Sequence, residues 1–359
     1  MLIYKRRNPD VYGCTMKVVK FTAPFQKLYL YTQRPPTTTL GMDPLFIGKE
    51  KIASLLTMSE CIEVMEKMFR SLANGKCLQP LRSLMRMPDK SGLLGMMPGY
   101  AEELGVMGIK VISVFHANKD AGYPSHQGVV MLFDARHGQP LMMFDASEVT
   151  AIRTAAASAL ATRLLSRANS QVLGVIGSGE QALRHIESIM LTRKIKHINL
   201  WGRNEKNSRE LLKKISVGYD TPITITKDAR EAVENADIIC TVTSSSQPLV
   251  LGDWICPGTH INAVGSSTPG SRELDTAAIA KSRLFTDCYE SLFNEAGDFL
   301  IPKKEGAVTD EYVKGELGEV LAGTKQGRQG GDDITVFKSL GIAAEDIFAC
   351  WHIYKKIIS

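Results

Sequence analysis

The sequence predicts an α/β protein built around a doubly wound parallel sheet, and three observations predict it. Between residues 171 and 264, short apolar runs alternate with helical patterns in units of roughly 30 residues, the order a parallel sheet requires. A glycine pair, Gly177 and Gly179, closes the first apolar run and opens the first helix of that series. The chain is also long enough, at 359 residues, for about two domains.

Taken in order, residues 1–42 form a basic extension. Lys5, Arg6, Arg7, Lys17, Lys20, Lys27 and Arg34 stand against a single acid, Asp10, so most of the formal charge of +5 resides there. The stretch lacks the apolar core of a secretory signal, and it has no serine before Gly41, whereas mitochondrial presequences are rich in serine. A flexible tail, an extension created by an early start (Met16 and Met42 are alternatives) and a targeting segment all fit it.

In "MSECIEVMEKMFRSLANGK", Ile62, Met65, Met68, Phe69 and Leu72 recur at helical spacing, with Ser59 as the expected cap and Gly75 as the stop. "MGIKVISVF" reads as a strand, and "GVVMLFDARHGQPLMMFDAS" as two strands joined near His137-Gly138. The alanine-rich "EVTAIRTAAASALATRLLSR" is a long helix suited to close packing. Strands follow at 171–176, 197–201, near 222–226, 237–242 and 260–264, separated by helices at 180–191, 205–215 and 228–235. The last segment, "TVFKSLGIAAEDIFACWHIYKKI", is expected to be one more amphipathic helix that packs back onto the first domain rather than extending the sheet.

Composition removes several classes of function. No apolar run approaches the roughly 18 to 20 residues of a membrane span, so no membrane partner is expected. Beyond the extension the charge is nearly balanced, without the basic field of a nucleic-acid binder. The seven cysteines include no C-x-x-C pair, which suits neither a disulfide framework nor a zinc site and fits a reducing, cytoplasmic compartment. Histidines 116, 126, 137, 185, 197, 260 and 352 show no ligand spacing either, so no metal is expected.

Gly177-Ser178-Gly179-Glu180-Gln181-Ala182 gives G-x-G-x-x-A between a strand and a helix, the context of the Rossmann-type dinucleotide fingerprint. There Gly177 permits the tight turn, Gly179 lets a pyrophosphate approach the backbone, and Ala182 lets helix and sheet approach. The helix N-terminus, through Ser178, Glu180 and Gln181, faces the phosphates. A purely structural turn is the alternative. The second strand ends in Gly202, Arg203 and Asn204, without the carboxylate that an NAD site usually presents to the ribose. A guanidinium pairs with a 2′-phosphate, so NADP(H) is favoured and NAD(H) is the alternative. Arg203 could equally be an exposed residue at a helix start.

Three cations stand where a strand or loop could aim them into a cleft: Arg82, Lys110 and Arg153. Lys110 interrupts the apolar "VMGIKVISVF", and a buried ammonium needs an anionic partner or a lowered pKa. Its alternative is a place on the wet face of an edge strand; Arg82 and Arg153, each taken alone, read at least as well as ordinary cations without a site role.

From about Leu45 to Tyr354 the chain resembles the ornithine cyclodeaminase/mu-crystallin family. The resemblance is carried by "QPLRS", "GIKVISVF", "YPSHQGVVMLFDARHGQPLMMFDASEVTAIRTAAASALAT", "VIGSGEQA", "HINAVGSSTPGSRELD" and "TVFKSLGIAAEDI". It implies a homodimer in which a Rossmann domain, 166–327, is inserted in a discontinuous α+β substrate and dimerisation domain, 43–165 with 328–359. It further implies that Arg82, Lys110 and Arg153 surround the substrate, with Lys110 catalytic and Glu290 a further contact. Ser125, His126, Gln127, Arg153, Asn207, Thr243, Ser244, Val264 and Ser339 would approach the cofactor; for His126, capping a loop is the alternative.

One departure separates activities within the family. Ornithine cyclodeaminases carry an aspartate after "NAVG", followed by a lysine; here Ser267 and Ser271 stand at those places. The chain is therefore closer to the mu-crystallin type, which reduces cyclic ketimine carboxylates such as pyrroline- or piperideine-2-carboxylate to proline or pipecolate. Ornithine cyclodeamination with recycled NAD, alanine dehydrogenase-like chemistry and thyroid-hormone-type binding are the alternatives. Each takes a small molecule, an imino or amino acid in the enzymatic cases.

Overall fold

The computed structural model describes residues 44–359; the basic extension lies outside the described residues. Two sheets organise them. The first contains β1 (Leu45–Ile47), β2 (Cys77–Leu78), β3 (Ser83–Arg86), β4 (Leu93–Ala101), β5 (Val106–Val114), β6 (His126–Asp134) and β7 (Pro140–Asp145). Their order is β1-β7-β6-β5-β4-β2, with β3 also on β4; every pairing is antiparallel except β1 with β7. β5, the strand of Lys110, is thus central rather than an edge.

The second sheet is wholly parallel: β8 (Val172–Ile176), β9 (His197–Trp201), β10 (Ile223–Ile225), β11 (Ile238–Thr241), β12 (His260–Ala263), β13 (Ser282–Thr286), β14 (Gly315–Glu316) and β15 (Ile334–Lys338). The order is β10-β9-β8-β11-β12-β15-β13-β14. From β8 the chain winds outward through β9 to β10, then returns to β11 on the other side of β8. That reversal opens a crevice at the carboxyl ends of β8 and β11, where ligands bind in such sheets. The Rossmann-type expectation is met.

The helices are α1 (Lys49–Leu55), α2 (Met58–Ala73), α3 (Ala146–Leu165), α4 (Glu180–Met190), α5 (Glu205–Ile215), α6 (Ala229–Val233), α7 (Thr276–Ala280), α8 (Tyr289–Glu295), α9 (Gly297–Lys304), α10 (Leu317–Ala322) and α11 (Ala343–Ile358). In α2, Ile62, Met65, Met68 and Phe69 are buried as expected, and Gly75 (φ +68°) ends the turn that follows. The cap differs. Thr57, not Ser59, begins the helix: its hydroxyl accepts the Glu60 N–H while the Glu60 carboxylate accepts the Thr57 N–H. A reciprocal capping box outcompetes a single serine cap two residues later.

α3 is buried on nearly every side, packed by α2, α4 and α11. Its alanines make that possible, since a helix apolar all round belongs in an interior.

The expected single helix at 335–357 is instead a strand followed by a helix. Thr335, Val336 and Phe337 suit a pleated surface, and β15 pairs with both β12 and β13, so it does extend the sheet. Gly341 (φ +71°) then turns the chain into α11. The helical half behaves as expected and packs across β4, β5 and β6. It comes close at Gly99 and Gly108, opposite each other on β4 and β5; a Cβ at either would stand 2.8 Å from the Ile347 side chain.

Candidate active site

The crevice at the end of β8 is shaped by the glycine turn. Gly177 has φ +130°, which side chains of L-residues avoid, and a Cβ there would stand 2.8 Å from the Val242 carbonyl oxygen. Gly179 forms the N-cap of α4 with extended backbone and no side-chain cap, and no atom lies within 4 Å of where its Cβ would be. The open space beside Gly179 lies at the start of this 11-residue helix, where the first N–H groups lack intrahelical acceptors, a fit for a pyrophosphate. Ser178, Gly179, Glu180 and Asn207 line one depression, together with Leu183 and Lys214.

Around it, Arg203 is exposed at the end of β9 and has no ion pair among the described residues. The Asn204 side chain caps α5, accepting the Lys206 N–H at 3.0 Å, and so serves the helix itself. Glu180 pairs with Arg184 at 3.2 Å, and Gln181 donates to the Thr150 carbonyl on α3 at 3.4 Å.

At the carboxyl ends of the next strands stand Thr243 and Ser244 after β11, Val264 after β12 and Ser339 after β15. Thr241, Ala263 and Lys338 are register partners, so these residues share one edge of the sheet. Ser267, half-buried, belongs to the loop beyond Val264, where the Ser271 hydroxyl accepts from Thr268 at 3.0 Å. At the start of β6, Ser125 and His126 meet through Oγ and Nδ1 at 3.0 Å, and Gln127 donates to the Pro124 carbonyl.

The three cations converge on the start of α11. Lys110, only 4% exposed, lies 2.7 Å from Asp346 Oδ2 and 3.5 Å from the Thr150 hydroxyl. Its burial excludes the wet-face reading. Arg153 donates from Nε to Asp346 Oδ1 at 3.0 Å and from Nη1 to Glu345. Arg82 donates from Nε to both oxygens of Glu295 at 2.9 and 3.0 Å, and from Nη2 to the Leu340 and Gly341 carbonyls at 2.8 and 3.0 Å. A Cβ on Gly341 would stand 2.6 Å from Arg153 Nη1, so a glycine is required where the two arginines flank the turn. Glu290, by contrast, is exposed on α8; the carboxylate facing Arg82 comes from Glu295, five residues on.

Burial sets the electrostatics. It lowers the Lys110 ammonium to about 8, helped by the nearby Arg153 and opposed by Asp346. Burial also lifts Glu345 to about 7, although Arg153 pulls the other way. Asp346 is desolvated too, yet Arg153 and Lys110 outweigh this and hold it below the usual carboxylate range. Asp287, raised by burial, accepts the Leu340 and Gly341 N–H groups at 2.6 and 2.8 Å and so fixes the turn that Arg82 grips.

Glu345, Asp346, Glu295, Asp287 and a buried Glu273 stand outside the set that the sequence points to. For two of them a signal exists: the tandem acids in "GIAAEDIFACW" interrupt an apolar helix as Lys110 interrupts its strand. Among the described residues no group of three or more His, Cys, Asp or Glu could hold a metal ion.

Comparison with known proteins gives a consistent picture. A model described as the ornithine cyclodeaminase/mu-crystallin family matches residues 42–359. Delta(1)-pyrroline-2-carboxylate reductase of Bacillus cereus (strain ATCC 14579) is 34% identical over 315 residues, 88% of this chain and 97% of that protein. Ketimine reductase mu-crystallin of Mus musculus is also 34% identical, over 87% and 96%. The solved structure of Thermococcus litoralis Delta(1)-pyrroline-2-carboxylate reductase in complex with NADH and L-proline superposes with a TM-score of 0.85 at 36% identity, covering 88% of this chain and 97% of that one.

Proposed function

The chain belongs to the ornithine cyclodeaminase/mu-crystallin family, and from that premise we propose that it reduces cyclic ketimine carboxylates with a nicotinamide dinucleotide. Pyrroline-2-carboxylate would yield proline, and piperideine-2-carboxylate pipecolate. The observation that carries this reading is the buried lysine near two arginines where α11 begins.

Such a substrate needs its carboxylate bound, its nitrogen protonated and its C2 held in the open for reduction. Arg82 and Arg153, fixed by Glu295, Glu345 and Asp346, would meet the carboxylate with the donors these acids leave, on Nη1 of Arg82 and Nη2 of Arg153. Lys110, with Asp346 and the Thr150 hydroxyl as its partners, stands beside these arginines, and an ammonium poised at about 8 both carries a proton at neutral pH and releases it readily. Glu345, near 7, can take up a proton and so shed its negative charge when the substrate's anion joins the cluster. A reduced nicotinamide, when bound, supplies the hydrogen and two electrons that C2 receives; Gly177, Ser178 and Gly179 would hold its pyrophosphate. Neither step calls for a nucleophile, and Ser267 supplies no carboxylate for the amine chemistry of a cyclodeaminase.

Arg203 supports NADP(H) over NAD(H). Arg203→Ala is expected to raise KM for NADPH roughly tenfold or more, the worth of one charge-assisted pair, while KM for NADH stays within about twofold. Steady-state kinetics with both nucleotides check this; equal effects on both would remove the 2′-phosphate reading.

The exposed Leu84, Met85 and Met87 on and after β3, with Leu78 on β2, support burial against a second copy and hence a homodimer. All six cysteines among the described residues are free, which suits a reducing, cytoplasmic setting. The decisive experiment follows NADPH absorbance with each imine and, in parallel, ammonia release from ornithine with NAD. Imine-dependent loss of NADPH supports the reductase; ammonia without net nucleotide consumption makes the protein a cyclodeaminase instead.

A further inference from the structure

A buried carboxylate that the proposed chemistry does not use ties two loops of the crevice together. Glu273, fully buried, accepts the Thr243 N–H through Oε1 and the Gly265 N–H through Oε2, each at 2.7 Å. Thr243 follows β11 and Gly265 follows β12, so one side chain spans the ends of neighbouring strands. Its own backbone is held in turn: Asp298 Oδ1 accepts the Glu273 and Leu274 N–H groups at 2.8 and 2.9 Å. The other oxygen of Asp298 lies 2.9 Å from Lys338 Nζ, at the end of β15.

The arrangement has little slack. Any Cβ on Gly265 would collide with Thr243 and Glu273, and one on Gly297 would collide with Ser271. Three charges with at most 1% exposure are costly to bury, and packing alone needs none of them. Lys338 also opens the run Lys338–Gly341, whose far end carries the carbonyls that Arg82 grips. The cofactor loops and the cationic cluster therefore share one segment.

We infer that Glu273 is a positioning residue for the nicotinamide end of the dinucleotide, fixing the spacing of the loops after β11 and β12 with Asp298 and Lys338 behind it. This rests on the dinucleotide reading above. The pyrophosphate would be held at the Gly177–Gly179 turn and the adenosine end beside Arg203, at the ends of β8 and β9, so loosening a clip between the loops after β11 and β12 is expected to act mainly on the other half of the cofactor. An amide in place of the carboxylate keeps the volume but presents one oxygen and one NH2 group, so one of the two backbone ties is lost.

The test compares full-length Glu273→Gln with the unaltered protein in three measurements. They are affinity for the reduced dinucleotide, affinity for ADP-ribose or its 2′-phosphate, which lack the nicotinamide, and kinetics of imine reduction. Expected are fragment binding within about twofold, dinucleotide binding weaker by about fivefold, and kcat lower by about tenfold at little-changed imine KM, as misplacement of reacting groups produces. Equal changes in fragment and dinucleotide affinity, or a lower Tm with kcat unmoved, would overturn the inference and leave a structural clip. If Glu273→Gln melts below assay temperature, Asp298→Asn is read by the same split. The binding comparison needs no turnover, so failure to reduce imines would sink the proposed reaction and leave this inference standing. If neither dinucleotide nor fragment binds the unaltered protein, both fall.

Discussion

Replacing Lys110 by methionine is expected to lower kcat/KM for imine reduction by about a thousandfold, within the usual range for loss of a general acid, with nucleotide affinity within about twofold. Methionine keeps an unbranched stem of similar length but carries no proton. Asp346 then retains one of its two cations, Arg153, so the pocket is not left with an unpaired acid. The pH dependence has a definite sign. The donor must be protonated, so activity should hold below about 8 and fall tenfold per pH unit above it, as Lys110 loses its proton. In Lys110→Met that alkaline limb disappears from the residual rate. Lys110→Arg should not restore the rate, because a guanidinium keeps its proton throughout this range. An unchanged alkaline limb in the methionine variant would show that another group delivers the proton.

Asp346→Ala carries the largest expected cost to stability. Its carboxylate is shared by Lys110 at 2.7 Å and Arg153 at 3.0 Å, and all three side chains are nearly inaccessible. Removing the anion leaves two buried cations facing each other, with only Glu345 to compensate. Breaking a buried pair in this way costs about 3–5 kcal/mol, which for a chain of this size lowers Tm by about 5 °C. The same change should push the Lys110 pKa further down and move the alkaline limb below 8. Thermal melts and a pH-rate profile measure both; a loss of Tm under about 2 °C would mean that solvent or Glu345 already screens the cluster.

Much of the architecture is legible in the chain. The alternation from 171 to 264 predicts β8, β9, β10, β11 and β12 and the helices between them with ends within a few residues, because period and turn chemistry are local. β4 is not legible, since Gly95, Pro98 and Gly99 in "LLGMMPGYA" blur its alternation. β15 merges with the helix after it because "TVFKS" runs into a true helical pattern, and only its two neighbouring strands make it a strand. In the candidate site, Lys110 is visible as a charge in an apolar run. Glu290 comes from the resemblance as a substrate contact, and the ion pair of Arg82 with Glu295 was not legible, because both acids lie in one short stretch and sequence does not say which faces Arg82.

By itself the sequence determined the glycine turn between strand and helix, the parallel alternation around it, and that Lys110 is a charge in an apolar run. Those are properties of neighbouring residues: a backbone torsion, a period, a charge in an apolar run. The tertiary structure alone decided what answers each charge. Arg153 meets Asp346 across 193 residues and Arg82 meets Glu295 across 213; Glu273 reaches 30 residues to Thr243 and 8 to Gly265. The energy of a buried charge depends on the groups within a few ångströms of it, and strand order and helix packing choose those groups.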